Sequence, residues 1–139
     1  MERTLFNKNG EPVAYITDDY HETIYLWDGS PVAYLHEDQH IYGINGRHLG
    51  WFIDEILFNG VGKRIGFTAR SCPGSIVKEP IKPEKFPRDE IQSRWKTPSL
   101  PKLGFDFADQ DLKEFLKEGE AFRSIGGQSS EPQKENDQN

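Results

Sequence analysis

A fourfold internal repeat occupies the first half of the chain. Four segments align without gaps, and each reads aliphatic, aromatic, three variable residues, Gly, two variable residues, aliphatic, Ala or Gly, and aromatic. A repeat of this kind constrains the architecture before any single residue does, because each unit has to bury its apolar face against its neighbours. The four segments are residues 5–16, 24–35, 41–52 and 57–68.

Each repeat is predicted to form a β-hairpin centred on its glycine. In three repeats the glycine follows Asn or Asp, a pair that tolerates positive φ at both centres of a two-residue turn. The fourth repeat has Val61 before Gly62, and a β-branched residue fits poorly at positive φ. We therefore expect Asn59-Gly60 to produce a longer turn in that repeat. The two-residue turns are expected at Asn9-Gly10, Asp28-Gly29 and Asn45-Gly46.

Alternation after each glycine predicts a common core face. Residues two apart in a strand point to the same side, so an aliphatic and an aromatic residue from every repeat should meet there. The position between them is always Ala or Gly, which indicates close approach to a neighbouring strand or to the pseudo-symmetry axis. The predicted core pairs are Val13 and Tyr15, Val32 and Tyr34, Leu49 and Trp51, and Ile65 and Phe67, and the small residues are Ala14, Ala33, Gly50 and Gly66.

The fold class expected from the repeat is mainly β. An isolated hairpin is marginal in water, so the four should pack together, and closure would remove exposed strand edges. We predict four hairpins in a pseudo-fourfold, closed, ring- or barrel-like assembly over residues 1–70. The remainder should add a proline-rich linker and a short C-terminal helix.

Beyond the repeat, the chain divides into three segments. Six of the nine prolines lie in 71–105, so this segment is predicted to be a linker, with a short helix conceivable at 87–95. In 106–125 an amphipathic helix is expected, with Asp109 as N-cap and Gly119 as the stop. Residues 126–139 lack large apolar side chains and are predicted to be a disordered tail. The apolar face of the helix comprises Leu112, Phe115 and Leu116.

Composition excludes some classes of function. The chain has a net charge of −6, which argues against a protein that coats nucleic acid, since that needs a concentrated basic footprint. No apolar run is long enough to span a bilayer, and the N-terminus lacks the apolar core of a secretion signal. With Cys72 as the only cysteine, neither an intrachain disulfide nor a thiolate zinc site can form, so we expect a cytoplasmic protein without a cofactor.

Two stretches of the repeat also carry a family resemblance. NGRHLGWF at 45–52 and GKRIGFT at 62–68 resemble the bacterial proteins described as four-fold β-flower domains. Those proteins tend to continue into a proline-rich segment and a short terminal element like DLKEFLKEG at 111–119. The resemblance implies a fold but no established activity, so it transfers no catalytic or binding residue.

Candidate sites follow from the expected hairpin geometry, which puts all hairpin turns on one rim and all connections between hairpins on the other. The connection rim should be acidic and histidine-bearing, and converging carboxylates and imidazoles can bind a divalent metal. The turn rim should carry a basic patch that could contact an anion or an acidic partner. The patch comprises Arg47, His48, Lys63 and Arg64. The connection-rim groups are Asp18, Asp19, His21, Glu22, His36, Glu37, Asp38, His40, Asp54 and Glu55.

Two hypotheses about function remain open at this stage. In the first, the chain is a non-enzymatic interaction or assembly module whose β scaffold presents the linker and the helix. Leu112, Phe115 and Leu116 would then contact a protein partner or a symmetry mate, or pack on their own β domain. In the second, a small ligand or metal binds on the rim or the pseudo-symmetry axis. No catalytic constellation is recognisable, and neither nucleic acid nor a membrane is expected as a partner.

Overall fold

The computed structural model describes residues 1–122, so the predicted tail at 126–139 lies outside the described residues. Eight antiparallel strands pair in chain order, and the last pairs with the first to close a barrel. The prediction of a closed, mainly β assembly of four hairpins is therefore confirmed. The elements are β1 (Arg3–Phe6), β2 (Pro12–Ile16), β3 (Thr23–Leu26), β4 (Pro31–His36), β5 (His40–Gly43), β6 (His48–Ile53), β7 (Ile56–Asn59), β8 (Arg64–Phe67) and α1 (Leu112–Lys117).

The hairpin turns differ in type from the expected two-residue turns. In each one, the glycine is the fourth residue of a tight turn and alone has a positive φ, between +84° and +96°. Gly62 N–H, for example, donates to the Asn59 carbonyl at 3.0 Å, which leaves Val61 outside the left-handed region. The fourth turn is thus equivalent to the other three, and the longer turn expected from Asn59-Gly60 was wrong.

A β-bulge in every second strand changes which residues share a face. Leu5 pairs with Ala14 and Phe6 pairs with Pro12, so Val13 is an extra residue without a partner. Pairing skips one residue in the same way in the other three hairpins. The predicted aliphatic and aromatic pairs therefore separate. Val32, Leu49 and Ile65 join the interior cluster, whereas Tyr34, Trp51 and Phe67 belong to separate clusters on the outer surface.

Helix α1 packs against the barrel interior. Its N-cap is Asp111 rather than the expected Asp109, because the chain stays extended until Ala108, whose N–H donates to the Arg64 carbonyl at 2.8 Å. The apolar face is 0–2% exposed and lies in the same cluster as Ala14 and Ala33. A Cβ added at Gly50 would meet the Phe58 carbonyl oxygen of the neighbouring strand, and one at Gly66 would meet Leu112 of α1. The small position of the repeat thus allows the close approach of a neighbouring strand, as expected, and also of α1, which the sequence did not predict. The buried face comprises Leu112, Phe115 and Leu116.

Residues 71–105, which we call the belt, contain neither helix nor strand but are docked on the turn rim. Four belt N–H groups spaced nine residues apart donate to the carbonyls of the four turn glycines, at 2.8–3.1 Å. The helix considered at 87–95 does not form, because backbone groups in that stretch bind the barrel instead. The donor and acceptor pairs are Val77 to Gly10, Phe86 to Gly29, Trp95 to Gly46, and Gly104 to Gly62.

Candidate functional site

On the connection rim, Arg3 forms two long ion pairs with glutamates. Arg3 Nη2 lies 3.7 Å from Glu22 Oε2, and Arg3 Nη1 lies 3.9 Å from Glu55 Oε2. Burial raises the pKa of Glu22, and the neighbouring Asp38 raises it further. Within residues 1–122, no group of three His, Cys, Asp or Glu side chains could hold a metal ion.

The histidines of the rim lie on the outer wall of the barrel, where His21 packs beside Tyr34 and His36 beside Tyr42, and His36 Nε2 also lies 3.8 Å from Glu37 Oε2. His40 Nδ1 is 3.2 Å from His48 Nε2, and both rings pack against Trp51 at 4.8–4.9 Å between centroids. Burial lowers the pKa of His48 to about 4, with the adjacent His40 as a lesser cause. Burial also lowers the pKa of His40. The two imidazoles therefore form a neutral pair at pH 7.

This histidine pair predicts a loss of stability in mild acid. The unfolded chain takes up protons near the ordinary His pKa of about 6.5, whereas folded His48 resists protonation down to about 4, so the free energy of unfolding falls as the pH drops through this window. We expect His48 to contribute about 1 kcal/mol of the loss between pH 7 and 5, after allowance for its partial exposure. Urea unfolding of wild type and His48→Gln at both pH values measures it. Equal losses in the two proteins would contradict the assignment.

The predicted basic patch does not form an open anion site, because two of its four members hold the belt. The guanidinium of Arg64 lies 4.7 Å from the centroid of the Phe105 ring, and its Nε donates to the Gly104 carbonyl at 3.0 Å. Arg47 lies 5.8 Å from the centroid of the Trp95 ring. His48 contacts His40 on the outer wall of the barrel. Lys63 is exposed, and its backbone N–H donates to the Asn59 side chain.

Sequence reasoning missed a set of belt cations that lie over aromatic pairs on the outer wall. In the first repeat, Lys82 and Lys85 lie 4.5 and 5.3 Å from the centroid of Tyr15, which stacks on Tyr25. Glu2 neutralises both ammonium groups at 2.8–2.9 Å, and these bonds lower the pKa of the Glu2 carboxyl.

The nine-residue spacing of Val77, Phe86 and Trp95 is the one signal in the sequence that could have revealed a docked belt.

In the second repeat, a cleft of about 800 Å³ opens between the belt and the outer wall. Its lining includes His21, Tyr42, Arg88 and Arg94. Arg94 Nη1 lies 3.5 Å from the Tyr34 hydroxyl, and its guanidinium is 5.8 Å from the centroid of Tyr42. Burial raises the pKa of Tyr34, partly offset by the bond with Arg94, so the phenol stays protonated at neutral pH. The lining of this cleft therefore combines three basic residues, Arg88, Arg94 and Lys96, and one acidic residue, Glu90, with the Tyr42 ring.

Comparison with protein families identifies the architecture. The model of the family described as 4-fold beta flower protein matches residues 3–116. The chain belongs to this family. The matched range is not confined to the four β-flower hairpins, since it also includes the belt and nearly all of α1. Neither the search of curated proteins nor that of solved structures gives a match. Among residues 1–122, no helix has the length and apolar character needed to cross a membrane.

Proposed function

We propose that this β-flower chain is a non-enzymatic interaction module whose belt presents apolar and basic side chains to an acidic polypeptide partner. The observation that supports the proposal is the exposure of large apolar residues along the belt. Ile81 is 95% exposed, and Phe86, Leu100 and Phe105 are also exposed. Side chains of this type contribute much of the binding energy in protein interfaces.

The way the belt is held favours binding. Its backbone is fixed to the closed barrel at every ninth residue, so its outward side chains are presented by a scaffold that is already ordered. Ordering a flexible segment at the moment of binding would cost free energy, and a docked segment avoids much of that cost. The belt therefore combines an extended backbone with a preorganised surface.

Charge selects the class of partner. The belt has seven basic and four acidic residues, on a chain whose net charge is −6. Lys78, Lys96 and Lys102 are exposed on the belt. An acidic polypeptide is attracted to such a basic segment and gains association rate from it, whereas a basic partner is attracted to the rest of the chain.

The structure shifts the proposed binding surface from the helix to the belt. Leu112, Phe115 and Leu116 are buried in the core of their own domain, so a partner could reach them only if α1 left the barrel.

Cys72 Sγ donates to the Asn7 carbonyl at 3.4 Å and is half-buried, which gives little support to a role as a nucleophile. Together with the absence of a second cysteine in the sequence, this supports a reducing, cytoplasmic location as part of the proposal.

Panning a random peptide library against the full-length protein tests the proposal. We expect enriched peptides to combine Asp or Glu with apolar residues, and to lose binding to a variant with Ile81→Ser, Phe86→Ser and Leu100→Ser. These side chains are largely exposed, so the variant should keep the thermal midpoint of wild type. The matched control carries Ser at Met1 and Tyr20, which are exposed apolar residues outside the belt. Binding that survives the belt variant, or self-association that the variant abolishes, would overturn the acidic-partner proposal.

A further inference from the structure

The pseudo-symmetry of the protein sets two equivalent sites side by side, and in the first of them a carboxylate forms ion pairs with the belt cations. The first site lies around Tyr15 and the second around Tyr34. A residue of the first site is matched to its counterpart in the second by adding nineteen to the number of a barrel residue or nine to the number of a belt residue. Tyr15 then corresponds to Tyr34, and Lys85 corresponds to Arg94. Each cation lies over an aromatic pair that joins two neighbouring repeats. Lys85 lies over Tyr15 and Tyr25, and Arg94 lies over Tyr42, which stacks on Tyr34 and matches Tyr25 at a shift of seventeen residues.

The carboxylates of the first site are replaced in the second. Glu2, which bridges Lys82 and Lys85, corresponds to His21. Thr4 donates its hydroxyl to Glu79 at 2.6 Å, and the corresponding contact is Arg88 Nη1 donating to Thr23 Oγ1 at 3.1 Å. Two acidic positions have thus become a histidine and an arginine. Of the two cations over Tyr15, Lys85 is retained as Arg94, whereas Lys82 is replaced by Ile91.

Among the described residues, Arg88 and Arg94 lack the close carboxylate contacts that Lys82 and Lys85 make with Glu2. Among residues 1–122, no carboxylate lies within 4.0 Å of the Arg94 guanidinium. Arg88 Nε is buried and has no hydrogen-bond partner among the described residues, although Asp19 is near enough for Arg88 to help lower its pKa. Glu90 and Lys96 also line the cleft, with opposite charges. A buried donor without a partner costs free energy that an added acceptor would recover.

We propose that the cleft between the belt and the outer wall binds a carboxylate group, which supplies to Arg94 and Arg88 the negative charge that Glu2 supplies to the cations of the first site. Arg94 and Arg88 would donate charge-assisted hydrogen bonds to it, and the Tyr42 ring would form part of the wall of the site. The site is separate from the outward apolar residues of the belt, so it goes beyond the proposed function and can fail independently of it.

The ligand's carboxylate could belong to a free organic acid or to a glutamate in a polypeptide, and two probes separate these sources. N-acetylglutamate represents the free acid, and an acetylated, amidated pentapeptide with one central Glu represents the polypeptide. Binding is followed through the side-chain Nε–H resonances of Arg88 and Arg94 in the full-length protein. We expect saturable shifts, with the tighter probe identifying the source. Inorganic phosphate that binds more tightly than both carboxylates would overturn the proposal.

The pseudo-symmetry supplies a matched pair of variants. His21→Glu places a carboxylate at the position that corresponds to Glu2. This carboxylate should compete with the probe for the cations of the cleft and weaken probe binding by about tenfold or more. Glu2→Gln removes the carboxylate that pairs with Lys82 and Lys85, so a probe carboxylate should bind there as well. The resonances of Lys82 and Lys85 should then show a second saturable shift. Unchanged probe affinity in His21→Glu, or the absence of a second response in folded Glu2→Gln, would overturn the assignment of equivalent sites.

Discussion

Replacing Phe115 with alanine is expected to lower the free energy of unfolding by about 3–5 kcal/mol, the range for a large aromatic side chain removed from a core. Phe115 is 2% exposed, and a Cβ built on Gly50 would lie 3.0 Å from its Cζ. Since Gly50 has no side chain that could move into the space, the cavity should remain largely unfilled. A helix of six residues is also too short to persist without its docking surface.

The matched control for this prediction is Glu114→Ala on the same helix. Glu114 is exposed, and its removal should change the free energy of unfolding by no more than about 0.5 kcal/mol. Urea unfolding followed by tryptophan fluorescence measures both variants. If Phe115→Ala were as mild as the control, α1 would not be part of the core. Its apolar face would then again be available to a partner.

The second large effect is expected from Gly62→Ala, with a loss of about 2–4 kcal/mol. Gly62 has a φ of +89°, a conformation that strains any other residue except Asn or Asp. A Cβ at this position would also overlap the carbonyl oxygen of Lys102, so the belt would have to move away. That movement would break the hydrogen bond from Gly104 N–H to the Gly62 carbonyl.

Gly60→Ala is the control from the same turn. A Cβ at Gly60 meets no atom within 4 Å, and Gly60 does not have a positive φ, so we expect a change within about 0.5 kcal/mol. Urea unfolding gives the loss of stability, and limited trypsin digestion reports whether the belt has moved. Cleavage after Lys102 should be faster in Gly62→Ala than in wild type or Gly60→Ala. Equal cleavage rates in all three proteins would contradict docking of the belt on this turn.

The sequence predicted the hairpins because each one depends on a local signal. Gly10, Gly29, Gly46 and Gly62 mark positions where only glycine adopts the required backbone conformation comfortably, and they recur in register with the apolar residues. It could not predict the faces correctly, because a single bulge residue such as Val13 inverts the alternation without changing the residue types. The aromatic ring assigned to the core consequently lies on the outer wall.

The belt and the candidate site were harder to predict, because backbone contacts position them. The belt residues that donate to the turn glycines are Val77, Phe86, Trp95 and Gly104, and beyond the apolar character of the first three they share no side-chain feature. Proline content correctly indicates an irregular backbone, but it carries no information on where that backbone docks. Lys85 and Arg94 can be identified as equivalent cations only when the nine-residue spacing of the belt is aligned with the repeats of the barrel.

Both proposals depend on a belt that stays docked in this register, and backbone amide hydrogen exchange measured by NMR tests it most directly. Four amides of the belt donate to turn glycines, and we expect them to exchange much more slowly than most of their neighbours in 75–104. Protection should therefore peak at Val77, Phe86, Trp95 and Gly104, a period of nine residues. Uniformly rapid exchange across 75–104, with the barrel strands still protected, would contradict the docked belt and both proposals that depend on it.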